Sequence, residues 1–362
     1  MTKLVSTLRA ARLARGLSQE SLARMVGLSS QGLRAIEAGR AVPATDIALR
    51  LARALGLSVE QIFSLPEPRP VLDVSTADPL APGARVRVAS LNGRLVAHQL
   101  HGDDGFVGAF SRADGIAVGP NTVDLLEADG LQERVVVAGC DPAIGLIGET
   151  LLRSRAGSEV IWVNRGSRRA LEALARHEAH VAGCHLLDEA SGIFNRGFVE
   201  RMVPFPCTLI TFSVWEEGLI VAAGNPRGIV SVADLARPGA RLVNREPGAG
   251  SRQFIDRQLR AAGVPIDLID GYDRIVASHF AVAAAVRRGQ ADAGPGIKAA
   301  ALAFGLDFVP VAAERYDLVI PDHYLDHPGV QALLDLLRQR AFRGQVEALG
   351  GYDITQMGVV AS

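Results

Sequence analysis

Between Leu4 and Phe63 apolar residues recur every three or four positions, the period of helices that bury a single stripe. Leu4, Leu8, Ala11 and Leu13 predict a first amphipathic helix, Leu22, Ala23 and Val26 a second, and Leu33 with Ile36 a third. Ile47, Leu51, Leu55 and Leu57 follow Pro43, and Val59-Glu-Gln-Ile62-Phe63 closes the bundle. Residues 66–82 then carry five prolines among acidic and small residues, the composition of an extended linker or a strand entry. From Arg85 to Arg134 the text shortens into strands. RVRVASL and RLVAHQL flank Asn92-Gly93, a hairpin signal, and GFVGAF, DGIAVG and TVDLL follow closely. After Arg134 strand-length runs alternate with helical ones: VVVAG, EVIWVN before SRRALEALARH, HVAGCHL, RLVN before SRQFIDRQLRAAG, then HFAVAAAVRRG, ADAGPG, KAAALAFG and DFVPV. Such alternation predicts parallel sheets covered by helices, with ligands outside the carboxyl ends of the strands. The expected organisation is multidomain: an all-α head (1–65), a linker (66–84), a small β-rich subdomain (85–134) and an α/β body (135–352).

Within the head, Ser18 to Gly39 reads as a helix-turn-helix. Gly27 supplies a left-handed backbone where the first helix must stop, and Ser29 is placed to cap the next. Ser30, Gln31 and Arg34 then point outward from the first turns of the second helix, the part that reaches base edges in this motif. Gln19, Ser29, Ser30, Gln31, Arg34 and Arg40 are the candidate DNA contacts. The pieces LSQESLARMVGLS, IEAGRAVP and LARALGLSVEQIF resemble the XRE (Cro/repressor-type) family along the whole head. A helical hairpin that merely packs is the alternative. Charge supports the DNA reading: nine basic against four acidic residues up to Leu65 give the head +5, while the whole chain is −1. Phosphate attraction is therefore confined to one end.

With 362 residues and 48% hydrophobic content there is room for two or three domains. No apolar run is long enough to cross a bilayer and no signal peptide is legible, so a cytoplasmic protein without membrane contact is expected. Three cysteines argue against a disulfide framework. Cys140 and Cys184-His185 offer soft metal ligands, but without CxxC or HxxxH spacing they read as buried small residues at strand ends; no metal is expected. GAGSRQ is not a dinucleotide fingerprint, GPGIKA is not a P-loop, and no GxSxG elbow occurs, so an enzyme is not expected.

The strand ends of the body are rich in small residues at helix starts: Gly139-Cys140-Asp141-Pro142, Asn164-Arg165-Gly166-Ser167, Asn244 to Arg252, and Gly294-Pro295-Gly296. Turns of this kind expose backbone N–H groups beside the positive end of a helix dipole, an anion site to which Arg245 and Arg252 add charge-assisted bonds. The stretches AGCDPAIGLI, WVNRGSRRALEAL, HVAGCHLLD, NREPGAGSR, HFAVAAAVRRGQADAGPGI and ERYDLVIP resemble the periplasmic-binding-protein-like (type II) domain of the molybdate/tungstate class. The resemblance runs from about Val135 to Tyr352. It implies two α/β lobes closing on a ligand, with crossings near Thr211–Val221 and Arg315–Ile320. It further implies an oxyanion held by Arg245 and Ser251, six residues apart, and by Ser167.

The chain departs from that pattern at Cys140-Asp141, where transport proteins of this class place Ser or Thr. Asp141 either caps its own helix with Pro142 at N1, or faces the cleft and selects a ligand with a cationic or hydroxyl group. Ser278-His279 opens a helix as cap with an exposed ring, or as ligand contact; Tyr316 and Asp317 pack a hinge or bind. The candidate ligand residues are Cys140, Asp141, Gly166, Ser167, Arg245, Gly250, Ser251, Arg252, Ser278 and Gly294. The expectation is a one-component transcriptional regulator, homodimeric or of higher order, on a double-stranded DNA operator, without a resident cofactor and responsive to molybdate or tungstate. A small organic metabolite or cofactor precursor is the alternative effector. An enzyme or ligand-storage protein is the alternative class.

Overall fold

The computed structural model describes residues 4–65, 69–100, 111–127, 129–154 and 158–361. They form two compact units, Met1–Pro70 and Val71–Ser362.

The first unit packs helices Leu8–Ala14, Gln19–Val26, Ser30–Glu37, Thr45–Leu55 and Val59–Ile62. Strands β1 (Val5–Ser6) and β2 (Phe63–Ser64) pair antiparallel and tie its ends together. Leu8, Leu22, Val26, Leu33, Leu51, Leu55 and Ile62 are its buried core. Each helix start is chemically marked: Ser18 accepts from the Ser21 amide, Ser29 from Gly32, and Ser58 forms a capping box with Gln61. Gly27 closes its helix at φ 73°. Leu13, expected on the inner face of the first helix, is 58% exposed. Five positions after Leu8 lies roughly 140° round the helix, so the inner place falls to Arg12, four positions on.

In the second unit β3 (Val71–Asp73), β4 (Arg85–Leu91), β5 (Arg94–Gln99), β6 (Gly115–Gly119) and β7 (Thr122–Leu125) form an antiparallel sheet in the order β3-β7-β6-β4-β5. Asn92 and Gly93, at φ 48° and 73°, make the two-residue hairpin turn between β4 and β5. β3 lies inside the segment expected as a linker, and GFVGAF (105–110) falls outside the described residues. One face of this sheet encloses Val86, Val88, Ala97 and Val123. The other presents Ala89, Leu91 and Val96 to the core of the α/β part. A buried ion cluster fixes that junction: Arg87 and Arg134 share Asp114, at 2.9 and 3.0 Å, and both reach Glu159.

The α/β part is built on β8 (Val135–Ala138), β9 (Val160–Val163), β10 (Val181–Cys184), β11 (Cys207–Val221), the short parallel pair β12 (Asn244–Arg245) and β13 (Ile275–Val276), β14 (Ala293–Ile297), β15 (Asp307–Pro321) and β16 (Tyr352–Asp353). The seven-stranded sheet runs β14-β11-β15-β10-β8-β9, with β16 against β11. β8 is parallel to β9 and β10, as expected, but β15 meets β10 and β11 antiparallel and β14 meets β11 antiparallel. The sheet is therefore mixed rather than parallel. The cause is two fifteen-residue strands, β11 and β15, paired from Cys207↔Pro321 to Val221↔Asp307. They contain both expected crossings and run through both lobes, which a helical crossover does not do.

Candidate functional site

On the head, Ser29 is committed to its cap, while Gln31, Arg34 and Arg40 are exposed and Ser30 and Gln19 half-buried. The sequence did not reveal what aims this face. Arg12 Nε and Nη2 donate to the two oxygens of Glu37, at 2.6 and 3.2 Å, and Nη1 donates to the Leu17 carbonyl. Gln19 Nε2 donates to Glu37 Oε2 at 2.7 Å, and the Gln19 carbonyl faces Arg34 Nε at 3.4 Å. Burial works against the charge of Glu37, yet Arg12 and Gln19 hold its carboxyl below the ordinary range. An ion pair inside the bundle thus leads through Gln19 to Arg34, one of the predicted DNA contacts. A buried arginine at an apolar place of the first helix was the available signal.

In the body, loops at the carboxyl ends of β8, β10 and β12 meet two helix N-termini and the middles of β11 and β15. Cys140 and Asp141 follow β8, His185 follows β10, Arg245 ends β12, Ser251 and His279 open helices Gly250–Ala261 and His279–Arg287. Trp215 and Glu217 come from β11, Glu314 and Tyr316 from β15. All are at most 3% exposed. His185 Nδ1 and Glu314 Oε2 are 2.9 Å apart, Arg257 donates to the other Glu314 oxygen at 2.6 Å, and His185 Nε2 faces Cys140 Sγ at 3.7 Å. Trp215 meets the His185 ring edge-on at 4.8 Å between centroids and His279 at 5.8 Å.

Many polar atoms in this cluster have no hydrogen-bond partner among the described residues: Arg245 Nη1, Ser251 Oγ, both oxygens of Glu217, both ring nitrogens of His279, Tyr316 Oη, Trp215 Nε1 and Asp141 Oδ2. Buried polar groups are ordinarily paired, and a concentration of orphans marks a place completed by ligand or water. Burial, reinforced by Glu314, pushes the Glu217 carboxyl up to about 7 despite His185, the Ser251 hydroxyl and Arg245. Burial likewise pushes Asp141 up to about 6, against its bonds from Tyr352 and Ala143. Burial and Arg245 hold the His279 ring well below its ordinary value. Donors and anionic acceptors thus stand together in one buried cluster.

The predicted ligand residues separate into two groups. Arg245 and Ser251 stand in the cluster with Cys140, but Glu246 already grips Arg245 through Nε and Nη2, at 2.9 and 3.0 Å, leaving Nη1. Asp141 stands one place outside its helix, whose N-cap is Pro142 rather than Asp141: Oδ1 accepts from the Ala143 amide and from Tyr352 Oη, while Oδ2 has no hydrogen-bond partner among the described residues. Ser167 Oγ accepts from the His185 amide at 3.2 Å and so positions that residue. Gly166 and Gly250 allow close packing; a Cβ on Gly250 would stand 2.3 Å from the His185 carbonyl and 2.5 Å from its Nε2.

Three expectations are corrected. Arg252 turns away, to Asp256 and the Arg245 carbonyl, and lies over the Tyr272 ring in a surface groove. Ser278 is spent as the cap of Ala281, and of the two roles considered for the pair the exposed ring is excluded, since His279 is 1% exposed. Gly294 packs against Val282 and the Val243 carbonyl. Sequence reasoning missed Glu217, Glu314 and Trp215. Their signal was the pair of acidic residues inside the apolar runs ITFSVWEEGLIV and FVPVAAERYDLVIP, where a solvated charge is costly.

Fold and site together define a DNA-binding head joined to a two-lobed ligand-binding body. Residues 149–338 match the PBP superfamily domain model and residues 8–62 the Helix-turn-helix model, and the chain belongs to the PBP superfamily. The uncharacterized protein YvgK of Bacillus subtilis (strain 168) is 32% identical over 243 residues, covering 67% of this chain and 77% of that protein. An uncharacterized HTH-type transcriptional regulator of Methanothermobacter thermautotrophicus is 49% identical over 53 residues, 14% of this chain and 77% of that protein. Among solved structures, the sulfate-binding protein SubI of Mycobacterium tuberculosis H37Rv has a TM-score of 0.46 at 15% identity, covering 61% of this chain and 86% of that one. The effector-binding domain of QuiR in complex with shikimate has a TM-score of 0.42 at 10% identity, covering 56% and 93%. The protein is a helix-turn-helix transcriptional regulator fused to a ligand-binding domain. No helix among the described residues is long and apolar enough to cross a membrane.

Proposed function

We propose that the protein is a one-component regulator whose head binds operator DNA as a homodimer and whose body closes on a small oxyanion, molybdate or tungstate. The reading rests on one observation: Arg245 Nη1 is a fully buried donor with no hydrogen-bond partner among the described residues, and six residues on, at the helix start, the buried hydroxyl of Ser251 stands beside it with only Glu217 close by. An oxygen-rich tetrahedral dianion accepts from both and meets the positive end of the helix Gly250–Ala261. Ligand occupancy controls DNA binding only if open and closed states differ in ligand affinity, which a cleft assembled from both lobes provides. Calorimetric titration of the full chain with molybdate, tungstate and sulfate tests the assignment. One site per chain for molybdate or tungstate, weakened in Ser251→Ala, is the expected result. No heat from any of the three overturns the oxyanion reading and leaves the DNA-binding regulator in place.

A second reading has its own observation. Glu217 is completely buried with both oxygens unpartnered, and Asp141 Oδ2 is unpartnered nearby in sequence to Cys140. These acceptors favour an organic effector that carries an ammonium or hydroxyl group besides its anionic end. A Glu217→Gln protein that loses such a compound while retaining molybdate heat separates the two.

A further inference from the structure

We infer that the cleft binds one borderline transition-metal dication, of the zinc or cobalt class, through Cys140 Sγ, His185 Nε2 and a ring nitrogen of His279. The three donor atoms come from three segments distant in sequence and lie within 4.8 Å of one another. The pair already closest, Sγ and Nε2, is 3.7 Å apart. Thiolate and imidazole bound to one tetrahedral zinc stand about 3.5 Å from each other, so this edge has ligand spacing before any ion enters. His279 completes the set, its ring nitrogen within 4.8 Å of the other two donor atoms.

Two independent features point the same way. His279 is 1% exposed with neither ring nitrogen partnered, an arrangement that costs the fold free energy unless a ligand uses the ring. His185 is oriented as metal-bound imidazoles are: its Nδ1 meets Glu314, itself held by Arg257, so that Nε2 is left to face Cys140. Glu217, with both oxygens unpartnered, forms with His185 and Glu314 a second donor group within 4.8 Å and supplies the carboxylate that balances the dication. Soft sulfur and imidazole nitrogen select zinc, cobalt or copper over magnesium and calcium. The proton shared between Sγ and Nε2 leaves to solvent on binding, while the proton on Nδ1 stays with Glu314.

The inference uses the cleft named above but neither Arg245 nor Ser251, so the two readings stand or fall separately. Cobalt(II) added to the metal-free full chain is the probe. One equivalent should produce a thiolate-to-cobalt charge-transfer band in the near ultraviolet and intense tetrahedral d–d bands, displaced by one equivalent of zinc. Cys140→Ser should abolish the charge-transfer band, whereas Cys184→Ser and Cys207→Ser should keep it. His279→Gln should collapse the d–d intensity, and Glu314→Gln should weaken affinity about 10- to 100-fold by freeing the His185 ring. Absence of bands in the parent protein overturns the proposal, as does a charge-transfer band that survives Cys140→Ser. Retained zinc measured in the parent by elemental analysis keeps the test decisive if a variant fails to fold. Molybdate calorimetry on the same metal-free sample reports on the oxyanion reading alone.

Discussion

Replacing Glu37 by alanine should unfold the head long before the body. Arg12 and Glu37 side chains are 7% and 3% exposed, and two short bonds join them. Without Glu37, Arg12 keeps only the Leu17 carbonyl, and Gln19 Nε2 loses its acceptor. Breaking one side of a buried ion pair costs about 3–5 kcal/mol, because the remaining charge is neither solvated nor paired. A domain of this size shifts by about 4–8 °C per kcal/mol, so the midpoint of the head should fall by on the order of 12–40 °C. Both tryptophans, Trp162 and Trp215, belong to the second unit, so indole fluorescence follows the body alone. Circular dichroism should therefore show an early loss of helix that fluorescence does not. The paired variant Arg12→Met with Glu37→Leu should recover most of the loss, since an apolar pair carries no desolvation cost. A dichroism midpoint within about 3 °C of the parent for Glu37→Ala refutes the assignment of the pair as the head's electrostatic centre.

Three further outcomes follow from the geometry. Gln31→Ala with Arg34→Ala should weaken operator binding by about 1–3 kcal/mol per lost base contact, read as a fluorescence-anisotropy shift with indole emission unchanged. Gly250→Ala should destabilise the body by about 1–3 kcal/mol or more in urea titrations, because its Cβ enters the His185 ring and carbonyl; an unchanged midpoint contradicts the close packing. Burial, with His327 adding to it, lowers His180 to about 3 while its Nδ1 accepts from the Val136 amide. The unfolded ring takes up a proton near 6.5 that the folded ring refuses, so the contribution is complete above that value and fades as pH falls towards 3. The parent should therefore lose stability relative to His180→Gln between pH 6.5 and 5; parallel profiles contradict this.

The head was legible because its helices are announced by local chemistry: Ser18, Ser29 and Ser58 cap, Gly27 stops, and Leu22, Val26, Leu33 and Ile36 keep the period. Arg12 was not legible, because its burial depends on Glu37 two helices later. In the body the strands, helices and loop starts were readable from alternation. The direction of β11 and β15 was not, since an antiparallel pair of fifteen residues looks the same in sequence as two parallel-sheet strands. The same limit hid the site. Cys140, Arg245 and Ser251 lie at turns that advertise anion chemistry, whereas His185, Glu217, His279 and Glu314 become neighbours only through long-range pairing. Ser167 shows the converse: expected from the resemblance to hold the ligand, it is buried with its hydroxyl accepting from the His185 backbone amide.

The central claim is that occupancy of the buried cleft governs the head's affinity for DNA. Operator binding by the full chain, measured at one fixed salt concentration with and without saturating molybdate, tests it most directly. The account predicts a change in Kd of about 5- to 150-fold, mirrored by an equal change in molybdate affinity when operator is present. Identical DNA isotherms while calorimetry shows molybdate bound would contradict it.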